Sequence, residues 1–209
     1  PISVDEYEKS LYLTRAQKQI YKEMCDAFEV EEVIATWLHP FIVEWVTDPT
    51  IVVINKETML ENTTNIVVPD DIYRVVWENA VLSSSDPKYN FVRVKVLKTR
   101  IAEIPYKQDN PFRQPNNKEI LRIVTGNTDN DNVFELMLPE NTTLMRYSCK
   151  YLKEIKPIIL EALPDGLTIE DEVGPLNTEY SDEILEKIID LAVISILQDK
   201  TAISKQNVV

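Results

Sequence analysis

The chain has 209 residues, with 22 basic against 35 acidic side chains, a formal charge of −13, and 44% apolar residues. That composition fits a folded protein and excludes wholesale disorder. The acidic excess has the wrong sign for a phosphate-gripping surface and disfavours anionic membranes, while the length accommodates one large domain or two small ones.

The elements read as follows in chain order. "LTRAQKQIYKEMCDAF" opens a helix, with Thr14 and Gln17 at capping-box spacing and Ala16, Ile20, Met24 and Ala27 recurring on one face. "EVEEVIATWLHPFIVEWV" predicts a second helical segment, kinked or divided at Pro40. Its stripe Val33, Trp37, Phe41, Trp45 reads as core, with a share for a neighbouring subunit. From residue 51 the texture turns to β-branched runs. "TIVVIN", "NIVVP" and "FVRVKVLKT" read as strands, while "DIYRVVWENAVL" is open between strand and helix, its Val and Tyr content leaning to strand. In "FVRVKVLKT", Phe91, Arg93, Lys95 and Leu97 share one parity and Val92, Val94 and Val96 the other, so one face is apolar and the other largely basic. "EILRIVT" and "VFELMLP", joined by "GNTDNDN", read as a hairpin. "TLMRYSCKYL" and "KPIIL" continue the sheet. "YSDEILEKIIDLAVISILQDK" is a closing helix, with Ser181 as cap and a stripe of Ile184, Ile188, Leu191 and Ile194. "TAISKQNVV" reads as an extended arm or a frayed end.

One stretch resists this classification: "AEIPYKQDNPFRQPNNKEILRIV". Pro105, Pro111 and Pro115 exclude helix interior and central strand. It holds no glycine, so it is stiff, and it carries the aromatics Tyr106 and Phe112.

The order helices, strands, helix predicts an α+β fold, a mostly antiparallel sheet core flanked by N-terminal helices and a C-terminal helix. It is expected as one domain over 1–209, with a helical part at about 14–47, a β-rich core at about 50–160 and a closing helix at about 181–199.

Chemistry is sparse. Three glycines leave no glycine-rich phosphate loop, and no GxSxG, HExxH or DxDxDG pattern occurs. Cys25 and Cys149 lack CxxC spacing and have only His39 to join them, so buried reduced thiols are expected and no metal or cofactor site. His39, in "WLHPF", reads as a core or interface histidine. Carboxylates cluster on helix faces and in turns, where solvated surface is the ordinary reading. The expectation is no enzyme and no catalytic residue. No run of 18 apolar residues exists to span a membrane. A start at Pro1, without a basic segment followed by an apolar one, is expected from a cytosolically made chain that has lost its initiator methionine.

Several stretches, in order along the chain, carry a resemblance: "YEKSLYLTRAQKQIYKE", "VVPDDIYRVVWENAVL", "NPFRQPNNKEILRI", and "MRYSCKYLKEIKPIIL" followed by "EYSDEILEKIIDLAV". Together they resemble a virion structural protein of the head–tail connector of crAss-like bacteriophages, the matching core of the arm being Asn110, Pro111, Phe112, Arg113 and Pro115. The resemblance implies a non-enzymatic protein that closes into a homo-oligomeric ring between portal and tail, made in the host cytoplasm and carried in the virion. Twelve copies are expected, with the portal and adjacent neck or tail rings as neighbours, no membrane, and DNA passing without tight binding.

The residues accommodate this. A ring subunit needs two complementary surfaces related by a rotation that closes. Pro111, Phe112, Arg113 and Pro115 are candidate intersubunit contacts, because a stiff arm loses little entropy on docking and Phe and Arg are anchor types. The arm folding back on its own sheet is the other reading. Thr168–Asp190 holds eight acids against Lys187. Glu170, Asp171, Glu172, Asp182 and Glu183 are candidates for an acidic lumen, with a solvated outer face as the alternative. Arg93, Lys95, Lys98 and Arg100 could meet an acidic neighbour. A tail hub or tail-tube component fits the same features. A cytosolic α+β binding module or hydrolase is the remote alternative, and would be a monomer with a deep polar pocket.

Overall fold

In the computed structural model, residues 4–28, 31–47, 62–84, 90–108, 110–124, 132–164, 166–176 and 178–206 are described. Contacts gather in two units, one formed by Pro1–Phe41 with Glu154–Val209 and the other by Ile42–Lys153. The helices are α1 (Glu6–Ala27), α2 (Glu32–Leu38), α3 (Ile104–Gln108) and α4 (Asp182–Gln206). The expected fold class, α+β with a mostly antiparallel sheet, holds.

The first unit is helical. α1 begins at Glu6, well before the expected Thr14. Asp5 is the cap: its Oδ1 accepts the Glu8 N–H at 2.7 Å, and Glu6 and Glu8 sit at the positive helix end. Thr14 and Gln17 lie buried in the helix interior instead of capping it. The buried face runs Ser10, Thr14, Gln17, Tyr21 and Met24, at helical spacing but more polar than the predicted stripe. The reason is tertiary. The stretch after residue 154 is irregular, and its backbone groups need partners. The Ile158 N–H donates to Thr14 Oγ1 at 3.1 Å, the Thr14 hydroxyl lies 3.3 Å from the Ile158 carbonyl, and the Leu160 N–H donates to Ser10 Oγ at 3.2 Å. "KPIIL" is therefore not a strand. Ile158 and Ile159 are buried, but their backbone pairs with helix side chains and with the Leu176 N–H.

α4 packs antiparallel to α1. Lys200 Nζ lies 3.3 Å from the Glu8 carboxylate, and the Tyr12 hydroxyl donates to Asp199 at 2.7 Å. Ile184, Ile188 and Ala192 are buried, whereas Ile194 of the expected stripe is exposed. The helix continues to Gln206, so most of "TAISKQNVV" is helix and neither extended arm nor frayed end. The Ser181 carbonyl accepts from the Ile184 and Leu185 N–H groups, at the expected start of the helix. Tyr21, Phe41 and Tyr180 form an aromatic chain with centroids 5.4 and 4.8 Å apart.

The second predicted helix is corrected. α2 ends at Leu38, His39–Phe41 is a 3-10 turn, and Ile42–Thr47 is strand β1. Pro40 cannot donate a helical hydrogen bond, and the β-branched run after it favours extended backbone. The four residues taken as one stripe separate. Val33 is exposed, Trp37 stacks beneath Lys187 at 4.4 Å, Phe41 joins the helical core, and Trp45 packs in the sheet unit against Tyr147 at 6.1 Å.

Among its described residues the second unit is a seven-stranded sheet. Besides β1 it holds β2 (Thr63–Val68), β3 (Ile72–Ser84), β4 (Val92–Thr99), β5 (Glu119–Val124), β6 (Asn132–Met137) and β7 (Thr142–Lys153), in spatial order β1-β7-β3-β4-β5-β6-β2. All neighbours are antiparallel except β4 and β5. "TIVVIN" and the "GNTDNDN" connection lie outside the described residues, apart from Asn132. The predicted pairing of "EILRIVT" with "VFELMLP" is present, with Leu121 opposite Met137 and Ile123 opposite Glu135. In β4 the parity is as expected: Val94 and Val96 are buried, and Arg93 and Lys95 are exposed. Phe91 falls before the strand, at φ 54.

One face of the sheet builds the core from Ile66, Val68, Leu82, Val94, Ile120, Leu136, Tyr147, Cys149 and their neighbours. Within it lies a buried polar knot. Arg122 Nε and Nη2 donate to the Glu78 carboxylate at 2.7 and 2.8 Å, the Tyr147 hydroxyl donates to Glu78 Oε2 at 2.6 Å, and the Arg122 guanidinium lies 4.2 Å from the Phe134 ring centre. On the opposite face, Ile104 of α3 packs with Leu121, Ile123 and Met137.

Candidate functional site: the proline-braced arm and the acidic face

The proline-rich stretch is the return leg of the parallel pair β4–β5. Parallel strands cannot be joined by a tight turn, because the chain must travel back a full strand length. Residues 100–118 make that journey. After a 3-10 turn at Ile101–Glu103, α3 spans Ile104–Gln108 with Pro105 in its first turn, where the missing N–H costs nothing. Ile104 is buried and pins the crossover to the sheet, and Lys107 holds Glu103 at 3.3 Å and Thr99 Oγ1 at 3.0 Å.

Beyond this anchor the backbone turns sharply. Asn110 Oδ1 accepts the Phe112 N–H at 3.0 Å, and the Asn110 carbonyl accepts the Arg113 N–H at 2.9 Å. Pro111 occupies the turn position its fixed φ suits. A second asparagine turn follows, Asn116 Oδ1 accepting the Lys118 N–H at 2.9 Å and the Glu119 N–H at 3.3 Å, as β5 begins. The arm is thus braced at both ends. At its tip Phe112 is 95% exposed, Pro111 and Arg113 are exposed, and Pro115 is half-buried. The Arg113 guanidinium stands 5.5 Å from the Tyr106 ring centre, a cation–π contact within the arm. The arm does not cover Phe112 with its own sheet.

The acidic candidates occupy two places in the helical unit. Glu170 and Asp171 form a two-residue hairpin tip, both at positive φ (54 and 65), closed by reciprocal Ile169–Glu172 backbone hydrogen bonds of 3.0 and 3.1 Å. Asp182 and Glu183 stand in the first turn of α4. Three of the five candidates are ion-paired. Glu170 pairs with Lys18, Glu172 with Lys156 at 3.3 Å, and Glu183 with Lys187 at 3.1 Å. Asp171 and Asp182 are exposed. Arg93, Lys95, Lys98 and Arg100 are all exposed on or beside β4.

His39 is exposed, so it is no core histidine. Cys25 and Cys149 are buried and not disulfide-bonded, and among the described residues no three of His, Cys, Asp and Glu gather at metal-binding distance. No described helix is long and apolar enough to cross a membrane.

Two features escaped the sequence. Phe91 is exposed at a left-handed φ of 54, an unusual conformation for a bulky residue, and it had been read as the start of a strand. Ile189, Val193, Ile194 and Leu197 form a half-exposed apolar strip on α4. Ile189, Val193 and Leu197 are spaced four apart, a signal present in the sequence but overshadowed by the stronger buried stripe.

The described structure thus presents a mostly antiparallel sheet carrying a braced crossover with Phe112 exposed at its tip. The phage tail ring protein 3/4 family model matches residues 1–206, so the chain belongs to that family of phage tail ring proteins. It is similar to "Ring protein 3" of Bacteroides phage crAss001, 28% identical over 207 residues covering 93% of this chain and 86% of that protein.

Proposed function

We propose that this tail ring protein forms a closed homo-oligomeric ring of twelve copies in the neck, between portal and tail, and lines the channel through which DNA passes. Its two units act together as one domain of the subunit. It performs no catalysis, and its neighbours are its own copies, the portal and the adjacent ring.

The observation that carries the reading is the exposure of Phe112. Leaving a Phe side chain in water costs about 1.5–3 kcal/mol relative to burying it. Here two asparagine turns and Pro111 hold it outward, so the chain maintains the exposure structurally. A contact with a neighbouring subunit covers it, and a ring repeats that gain at every junction. Pro111 and Pro115 restrict the unbound arm, so little entropy is lost on docking. Arg113 supplies a charged anchor beside the apolar one.

The acidic face supports a DNA channel through repulsion. Carboxylates act on phosphates over a Debye length of about 8 Å at physiological ionic strength. Asp171 and Asp182 are exposed there, while Glu170, Glu172 and Glu183 pair with lysines. The four bases beside β4 are suited to an acidic face on the next ring.

Electron microscopy of virions, with the position of this chain identified by labelling, tests the reading. A twelve-fold ring next to the portal is the expected image. Six-fold density at the tail tip overturns the neck position and favours the hub. The Phe112→Ala, Arg113→Ala double variant should give folded subunits that fail to enter particles.

A further inference from the structure

From the exposed surfaces of this chain we infer that the apolar strip of α4 on one copy is the seat for Phe112 of the next. This rests on the ring reading above and names the surface at its junctions. Three observations meet. The first is the mismatch on α4, where Ile184, Ile188 and Ala192 satisfy the helical core while Ile189, Val193, Ile194 and Leu197 stay half-exposed. Surface helices ordinarily keep such a face polar. An apolar strip more than two turns long is a surface made to be covered.

The second is complementarity of charge. Glu186 and Asp190 lie on the same side of α4, one helical row beside Ile189, Val193 and Leu197, and both are exposed. Asp182–Leu197 carries four acids against one base, whereas Ile104–Lys118 carries three bases against one acid. A Phe112 ring resting on Val193 brings the adjacent Arg113 within reach of Asp190 or Glu186. A wrong partner with acidic flanks would be repelled, so the same charges that attract the arm also select it.

The third is topological. A ring junction is heterologous: the arm of one copy and the strip of the next are different surfaces, so each copy has one of each to offer. This chain presents both, an apolar-plus-basic tip and an apolar-plus-acidic strip. Glu186 and Asp190 thereby belong to the junction, leaving the lumen to Asp171 and Asp182.

The test uses two differently tagged full-length chains, Gln114→Cys in one, which keeps Phe112 and Arg113, and Val193→Cys in the other, mixed and oxidised. A disulfide-linked heterodimer is expected. The pair Gln114→Cys with Val33→Cys, which places the second thiol on another exposed apolar helix position, should give at least tenfold less. In parallel, R113E and D190K should each reduce assembled rings at least tenfold by sedimentation, and the R113E, D190K double variant should recover most of them. Equal cross-linking at Val33 and Val193, or no rescue by the double variant, overturns the α4 seat. If Phe112→Ala still blocks assembly while Val193→Asp and Leu197→Asp variants assemble normally, the arm contacts a neighbour elsewhere, and only this inference fails. If Phe112→Ala assembles like the wild type, the arm contact itself is wrong. A wild-type chain that remains monomeric at all concentrations overturns the ring reading together with this one.

Discussion

At the scale of single residues, the Glu78–Arg122–Tyr147 knot decides the most. Both charges are nearly inaccessible and each satisfies the other's hydrogen bonds. A buried pair of this kind adds little net stability over an apolar replacement, but removing one partner strands the other. Arg122→Leu should therefore lower unfolding free energy by about 3–5 kcal/mol, as a shift in the denaturant midpoint at unchanged slope. A change under about 1 kcal/mol would show that water reaches Glu78. The same surroundings govern Cys149. Burial, with the Glu78 carboxylate adding, pushes its thiol up to about 12, against a smaller opposing effect of Arg122. At pH 8 only about one thiol in ten thousand is then ionised, and the thiolate is the reactive form. The native protein should leave an aromatic disulfide reagent unreacted at Cys149, and full labelling should follow denaturant. Rapid native labelling of Cys149 would count against this burial. Neither residue's role was visible in "EILRIV" or "YSCKYL", because a cross-strand knot joins positions far apart in the chain.

At the scale of elements, α1 shows how a tertiary partner changes the reading of a helix. Thr14 has cap chemistry, and Gln17 follows it at capping-box spacing. Asp5 with Glu8 has a cap's spacing too and precedes it, and the helix begins there. Thr14 then faces inward, where its hydroxyl serves both polar groups of Ile158. Thr14→Val keeps the shape and removes that service, leaving a buried N–H unpaired. A loss of about 1–3 kcal/mol is expected in thermal or denaturant unfolding, with Thr14→Ser much closer to wild type. Equal losses for Val and Ser would mean that packing, not the hydroxyl, matters. The segment after Pro40 carries the complementary lesson. Trp37, Phe41 and Trp45 are spaced like a helix face, but a proline followed by Ile42 and Val43 moves the chain into a strand, and a four-residue period has no meaning across that change.

At the scale of the whole molecule, the charge of −13 and the exposed basic group beside β4 pull in opposite directions toward DNA. Arg93, Lys95, Lys98 and Arg100 are too few, in a strongly acidic chain, to displace many counterions. Each neutralised phosphate steepens the salt dependence of binding by about 0.9 in log–log slope. Duplex DNA should bind weakly or not at all at moderate ionic strength, in a fluorescence anisotropy titration of the full chain. Submicromolar affinity with a slope of several units would oppose a channel lining that lets DNA slide.

The sequence by itself determined the α+β class, most strands, the two-faced character of β4, the acidic balance and the stiffness of the arm. These depend on composition, on periods of two and 3.6, and on the fixed φ of proline, all of which are local. Only the tertiary structure decided that β4 and β5 run parallel, so that the arm must be a crossover. It also decided that "KPIIL" leaves the sheet for α1, that Glu170, Glu172 and Glu183 meet lysines, and that Phe112 and one side of α4 remain uncovered. Strand order, ion pairing and exposure are relations between distant segments. No local period encodes them, because they depend on which surfaces the folded chain has already used.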